Sequence, residues 1–470
     1  MVKKIILFFL LFSLSTLVAC RFEFPTLGNI HTHAFDTVTT PATCMAEGYD
    51  TNTCSICGLV EVTNKTPAQP HTFSATYSYD GKSHWLDCAD CTATSGYGDH
   101  TDNGAGVCAV CDQPLIPTEG IVYRVSTDGT YAEVLSYSGT AEKIRIADTY
   151  GGLPVKNICE YAFYSCSGLT SVIIGDGVTT ISDYAFYQCP SLASVIFGSS
   201  VTTISEFAFY QCSSLANVIF GSSVTTIGIC AFGDCSALTE LIIPDSVVTI
   251  CDSAFSNCSG LVSVVIGDSV TAISNSAFRS CSSLVSVTIG SNVESIGFFA
   301  FEQCRNLASV TIPSGVKSVG DHAFYGCSAL TSVTFAEDCQ LTTIADWTFT
   351  GCSALESVII PDSITSIGEC AFSGCSALKS ATLGKGVTTI GYQAFGYCSA
   401  LESVNIPAAV TGIGKFTFTS CSSLTSATFE NTEGWRVMGD EIPPADLENP
   451  SLAARYLRSN EYGDYYWQRS

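Results

Sequence analysis

The amino-acid sequence predicts a β-rich solenoid, and three observations carry that prediction. Phenylalanine recurs at a fixed interval. Phe163, Phe186, Phe209, Phe232, Phe255, Phe278, Phe301 and Phe324 are each 23 residues apart, Phe349 follows after 25, and Phe372, Phe395 and Phe418 return to 23. A cysteine follows each phenylalanine by three residues, from Cys166 to Cys421, which makes twelve units. Each unit then continues into a short alternating stretch such as Ser286-Val287-Thr288-Ile289. A fixed period of roughly 20–29 residues marks a chain in which every repeat is one coil.

The unit from Ala277 to Gly290 shows why it must stack. Phe278, Cys281 and Leu284 are spaced by three, so a helical turn puts them on one side. Val287 and Ile289 are spaced by two, so they share one face of a strand. Gly290 begins a turn, and Val293 and Ile296 add further apolar groups before Phe301. All of these point inward only if each unit is one coil of a right-handed spiral. A single coil cannot bury its own core, whereas stacked coils can.

The motif A-F-x-x-C-x-x-L-x-S-V-x-I, in twelve copies, resembles the BspA-like leucine-rich-repeat family of bacterial surface proteins. The resemblance implies a right-handed leucine-rich-repeat coil of about 12 units of 23 residues across residues 159–430. Residues 115–158, with Gly151-Gly152-Leu153-Pro154-Val155, are similar to the lead-in cap of such proteins, and residues 431–470 to an end segment. An open solenoid end exposes strand edges and core, so caps are required. The two extra residues near Glu337-Asp338-Cys339 are expected in a surface loop.

The ladder cysteines invite a chemical reading, but geometry argues against it. Equivalent residues of adjacent coils lie about 4.8 Å apart, within disulfide range. Identical side chains stacked in register point in parallel, however, which is poor disulfide geometry. Leucine-rich repeats place Asn or Cys at this inward position, and a free cysteine packs as a small hydrophobe. These residues are therefore expected as buried, reduced thiols. Cys159, Cys230, Cys251, Cys339 and Cys370 lie off the ladder.

The chain begins Met1-Val2-Lys3-Lys4, followed by an apolar run from Ile5 to Phe12 and then Leu17-Val18-Ala19-Cys20. The run is shorter than the roughly 20 residues a bilayer span needs, and it reads as a secretory signal. Its end resembles a bacterial lipobox. That resemblance makes residues 1–20 a lipoprotein signal peptide, with Cys20 acylated and the mature protein secreted and lipid-anchored to the cell envelope, at its outer surface. Ordinary cleavage after Ala19 calls for small residues at both flanking positions, and Leu17 is not small.

Residues 21–114 differ in composition and hold five of the six histidines: His31, His33, His71, His84 and His100. Cys88-x2-Cys91 and Cys108-x2-Cys111, with 16 residues between them, have the spacing of a two-knuckle zinc ribbon. Each knuckle offers two thiolates, and two knuckles complete a tetrahedron. A weaker set is Cys44, Cys54 and Cys57 with His71 or His33 as fourth ligand; this stretch resembles short cysteine-rich spacer modules of bacterial surface proteins. Both sets read as structural zinc, because four protein ligands close the coordination sphere. In a secreted chain the same cysteines can instead oxidise to disulfides.

With 43 acidic and 19 basic residues, net −24, the chain lacks the electrostatic footprint of a nucleic-acid binder. No G-x-S-x-G elbow, H-E-x-x-H or P-loop occurs, and the repeats hold one histidine, His322, in a variable spot expected at the surface. The sequence therefore reads as a non-enzyme. A stacked sheet offers a long face for large partners, and the family resemblance implies attachment to host proteins, glycans or other cells. The competing reading is a passive spacer lipoprotein of the envelope. In S-V-x-I the Ser and x positions point outward. Reading x down the stack gives Ile173, Ile196, Ile219, Ile242 and Val265, then mostly Thr, with Glu240 interrupting the neighbouring Ser column. The sequence thus predicts an exposed apolar stripe over five coils, the candidate partner-binding surface.

Overall fold

The structure, a computed structural model, describes residues 117–459 and 461–469, together with the backbone of six short strands in the segment before them. The chain divides into two units, residues 1–79 with 83–99, and residues 80–82 with 100–470. The first contains two antiparallel three-stranded sheets. One comprises Phe35–Thr40, Gly48–Cys54 and Val60–Thr66, the other Ser78–Tyr79, Ser83–Asp87 and Thr94–Asp99.

The second unit is a β-solenoid of about thirteen turns of roughly 23 residues. Each coil contributes two short strands, and both pair in parallel with the equivalent strand one coil away. Ser171, Val172 and Ile173 face Ser194, Val195 and Ile196, and Thr180 and Ile181 face Thr203 and Ile204. The register is a constant repeat length, so like residues stack on like. The core is what that register produces. The twelve phenylalanines are buried, and successive rings stack nearly parallel, as for Phe232 and Phe255 at 5.3 Å and 3°. Val, Leu and Ile of each coil fill the rest.

The stretch from phenylalanine to leucine is not a helix. It is a chain of tight turns, with the Cys281 N–H donating to the Phe278 carbonyl and the Leu284 N–H to that of Cys281. Turns repeating every three residues still place Phe278, Cys281 and Leu284 inside. The turns also hold non-glycine residues in the left-handed region, two positions before each phenylalanine and two after most of them. Examples are Ser253 at φ 56° and Asn257 at φ 58°. A left-handed residue costs about 1–2 kcal/mol. The return, in every coil but the last, is an inter-coil hydrogen bond from the N–H, as from Ser253 to the Asn275 carbonyl and from Asn257 to that of Arg279.

Both ends are closed. At the start, the hairpin of Ile121–Val125 and Ala132–Tyr137 and the strand Lys143–Arg145 extend the two sheets of the first coil. At the finish, Trp467–Arg469 pairs antiparallel with the last coil's Gly412 and Ile413, and Trp435 and Trp467 are fully buried over the core. The helix Pro450–Arg458 precedes that strand, started by the Asn449 side chain accepting from the Ser451 and Leu452 N–H groups, with Pro450 needing no donor there. The two-residue insertion forms an exposed turn at Glu337 and Asp338, with Cys339 turned inward. The second sheet is interrupted at that coil, between Ser318–Val319 and Thr343–Ile344.

Candidate binding surface

The cysteine ladder is structural. Every described cysteine is a free thiol. From Cys189 onward each ladder Sγ donates to the carbonyl of the phenylalanine one coil earlier, as Cys281 does to Phe255 at 3.2 Å and Cys304 to Phe278 at 3.2 Å. This explains the residue type: the site needs a small, largely apolar side chain that carries one donor. Burial pushes the thiols up, to about 12 for Cys327, Cys375 and Cys421, so they stay protonated and unreactive. Off the ladder, Cys159, Cys230 and Cys251 are half-buried, and Cys339 and Cys370 are buried. The Cys159 thiol donates to Glu133.

The predicted stripe is exposed in only part of its length. Ile242 is 71% exposed and Val265 43%, side by side in adjacent strands, with Glu240 exposed next to them. Ile219 is half-buried, whereas Ile173 and Ile196 are each only 2% exposed. In the first two coils all four strand positions, Ser171 to Ile174 and Ser194 to Phe197, are buried. Both faces of the sheet are therefore covered there. The pleat does orient this column outward, as Ile242 shows, but alternation gives only the direction a side chain points, not what lies over it. From Thr288 to Thr428 the column is exposed and mostly Thr, apart from Ile359 and Asn405.

His322 is not simply a surface residue. It is half-buried and stacks between Phe299 at 4.9 Å and Trp347 at 5.6 Å, in the column two positions before each core phenylalanine. The same column begins with stacked Tyr161, Tyr184 and Phe207. Beside it, one position after each core phenylalanine, Tyr164, Tyr187 and Tyr210 stack at 5.7 and 5.5 Å. Aromatic residues recurring in these two columns of the repeat are the sequence signal for this edge.

Cys20, Cys44, Cys57, Cys88, Cys91, Cys108, Cys111, His33 and His71 lie outside the described residues, and Cys54 ends the strand Gly48–Cys54. Among the described residues no group of three or more potential metal ligands occurs. Nor, among them, is any helix long and apolar enough to cross a membrane.

Two parallel strands per coil, an inward cysteine and a stacked phenylalanine column define a leucine-rich-repeat solenoid. The family model for the BspA type leucine rich repeat region matches residues 135–262, 249–363 and 342–440, more than half of the chain. The chain belongs to the BspA-type leucine-rich-repeat family. Among solved structures it is similar to a leucine-rich repeat protein from Bacteroides ovatus, at 26% identity over 67% of this chain and 88% of that one, TM-score 0.51. A leucine rich cell surface protein from Faecalibacterium prausnitzii matches at 26% identity over 68% and 95%, TM-score 0.43. Comparison with curated proteins gives no significant match.

Proposed function

We propose that this protein is a lipid-anchored cell-surface binder that engages an extracellular macromolecule through the outer face of its first sheet. The observation that carries the reading is the exposed apolar pair Ile242 and Val265 in adjacent strands, flanked by Glu240, on a face that from Ser286 onward is mostly Ser and Thr, with Ile359 exposed singly. Contiguous exposed apolar surface generally has a use, and a solenoid fold serves typically as a scaffold for binding rather than catalysis. The test uses the full chain in pull-downs against extracellular-matrix proteins and intact cells. Ile242→Asp with Val265→Asp should abolish capture while leaving the melting temperature near that of the parent. Thr311→Asp with Thr334→Asp should leave capture intact. Equal behaviour of the two pairs would defeat the proposal and favour the spacer reading, which the mostly Thr column of the later coils supports.

The anchor and the metal belong to the same proposal. Cys20 carries the lipid, so Cys20→Ala should move the protein out of the membrane fraction and remove the lipid mass from its N-terminal peptide. Cys88, Cys91, Cys108 and Cys111 hold one structural zinc, and Cys44, Cys54 and Cys57 with His71 a second, on the strength of their spacing. Native mass spectrometry of the full chain should find close to one or two zinc ions. Cys88–Cys91 and Cys108–Cys111 disulfides in native material would defeat this assignment.

A further inference from the structure

We infer that the turn edge of coils one to four carries a groove for an extended, uncharged oligosaccharide, separate from the outer sheet face. Two positions after the core phenylalanine, Gln188, Gln211 and Asp234 stand in line. Gln188 Nε2 donates to Gln211 Oε1 at 2.8 Å, and Gln211 Nε2 donates to Asp234 Oδ2 at 3.4 Å. The Asp234 carboxylate beside the Tyr210 hydroxyl pushes that phenol up to about 12. The ladder therefore has one direction, with every amide dipole aligned and its end fixed on a carboxylate. The ladder bond uses one N–H of each glutamine, so each retains a second N–H, and Gln211 a further acceptor lone pair.

These side chains form one wall of a shallow groove of about 530 Å³, whose other side is Ser167, Pro190 and Ser213. A second hollow of about 340 Å³ shares Ser165 and Ser167 with it and carries the groove on to Tyr137. The tyrosine column borders the ladder. Tyr164 donates to Gln188 Oε1 at 3.5 Å, and it stacks only on Tyr187 within its column, leaving it 48% exposed. An aromatic body with a polar tip beside a row of amides and hydroxyls is the lining of a site for a polar, ring-shaped ligand.

Two arguments fix the ligand class. No lysine or arginine lines the groove, so an anionic ligand would find no counter-charge, and its one carboxylate stands at the end of the row and is already engaged by the Gln211 amide, so along the row a ligand meets neutral partners. Spacing separates a saccharide from a peptide. An extended peptide advances about 6.6 Å per two residues, and would drift out of register with rings spaced 5.7 and 5.5 Å. A pyranose in an extended β-linked chain advances by roughly one coil, so one sugar can face one glutamine along the ladder. Further along, the column becomes Gly326, Gly351 and Gly374 and offers no side chain at all.

The test is calorimetric titration of the full chain with hexasaccharides of β-1,4-linked glucose, N-acetylglucosamine and mannose, and with a neutral Ser/Gly hexapeptide as comparator. At least one hexasaccharide should bind, and the hexapeptide should not. Gln188→Leu with Gln211→Leu, which keeps side-chain volume, should weaken that binding at least tenfold, and Tyr164→Ala should weaken it more than Tyr164→Phe. Ile242→Asp with Val265→Asp should leave it unchanged, which separates this groove from the outer face. Circular dichroism confirms folding of each variant. Binding of no hexasaccharide, binding of the hexapeptide alone, or saccharide binding indifferent to the double glutamine variant would overturn the proposal.

Discussion

Coils one to three and coils four to twelve follow one repeat yet are finished differently. In the early coils the turn edge is aromatic, with Tyr161, Tyr184 and Phe207 in one column and Tyr164, Tyr187 and Tyr210 in the next. The fourth strand position is Phe197 and then Phe220, where coils four to seven have Ile243, Ile266, Ile289 and Ile312. The first sheet stops at this change. Ser171–Ile173, Ser194–Ile196 and Asn217–Ile219 form one ladder, and a new one starts at Glu240–Ile243. The second sheet runs through the same boundary without a break. At this boundary Phe220 is half-buried and meets Phe232 edge-on, and the next strand carries the smaller Ile243. Identical register does not give identical coils, and ring size alone does not set the breaks: the first sheet is interrupted again between Ser286–Thr288 and Ser309–Ile312, where both coils carry Ile, and runs on unbroken where Ile312 faces Phe335.

The largest effect should come from deleting a core ring on either side of this boundary. Phe209→Ala and Phe372→Ala should each cost about 3–5 kcal/mol, with Phe209 the costlier. It stacks between two rings as Phe372 does and also meets the edge of Phe197 at 5.7 Å. Chemical denaturation of the two variants checks this, and equal losses would remove the distinction between the regions.

The thiol ladder gives the next effect. Cys281→Ala removes a buried sulfur and its bond to Phe255, for about 1–3 kcal/mol. Cys166→Ala should cost less, because Cys166 is half-buried and residue 140, one coil earlier, is Thr rather than Phe. The same burial predicts an alkaline limit. The folded-state values of Cys327, Cys375 and Cys421 lie near 12, above their ordinary 9.0. Stability from these neutral thiols is whole below about pH 9 and is lost as pH rises toward 12, since the unfolded chain ionises first. Denaturation midpoints at pH 8 and pH 10.5 should show the drop.

Smaller still is the backbone strain. Gly351 sits at φ 74° with nothing nearer than 3.7 Å to an added Cβ, so Gly351→Ala should cost about 1 kcal/mol from conformation alone. Ser253→Gly should recover up to about 1 kcal/mol at φ 56°. The finest test is hydrogen exchange at the boundary. The Phe197 N–H donates to the Ile219 carbonyl, whereas among the described residues the Phe220 N–H reaches no carbonyl of coil four. Phe220 should exchange faster than Phe197.

The period made the core legible. Phe278, Cys281, Leu284 and Val287 could be placed inward from spacing alone, because only one side of a coil can be dry. The left-handed turn positions were not legible, since bulky residues such as Tyr184 and Trp347 occupy them where glycine would be the expected signal. Their cost is met by neighbouring coils, which a single repeat does not display. Burial of Ile173 and Ile196 was missed because a two-residue alternation describes a strand, not its cover. The ladder Gln188, Gln211 and Asp234 was in plain sight, but only for a reader who aligns the residue two after each phenylalanine.

The constant offset between bonded partners has a consequence for how such a chain can change. Thr202 donates to Thr179, Thr225 to Thr202, Thr365 to Thr342 and Thr388 to Thr365, always to the residue one repeat earlier. Cut the gene at two equivalent codons and rejoin it, and the core phenylalanines, the ladder cysteines and the backbone hydrogen bonds meet partners of the kind they had before. Length is therefore a free variable of this architecture, open to unequal recombination one coil at a time. An insertion that is not a whole coil, such as the two residues at Glu337 and Asp338, must be absorbed locally, and the interruption of the second sheet marks where that was done.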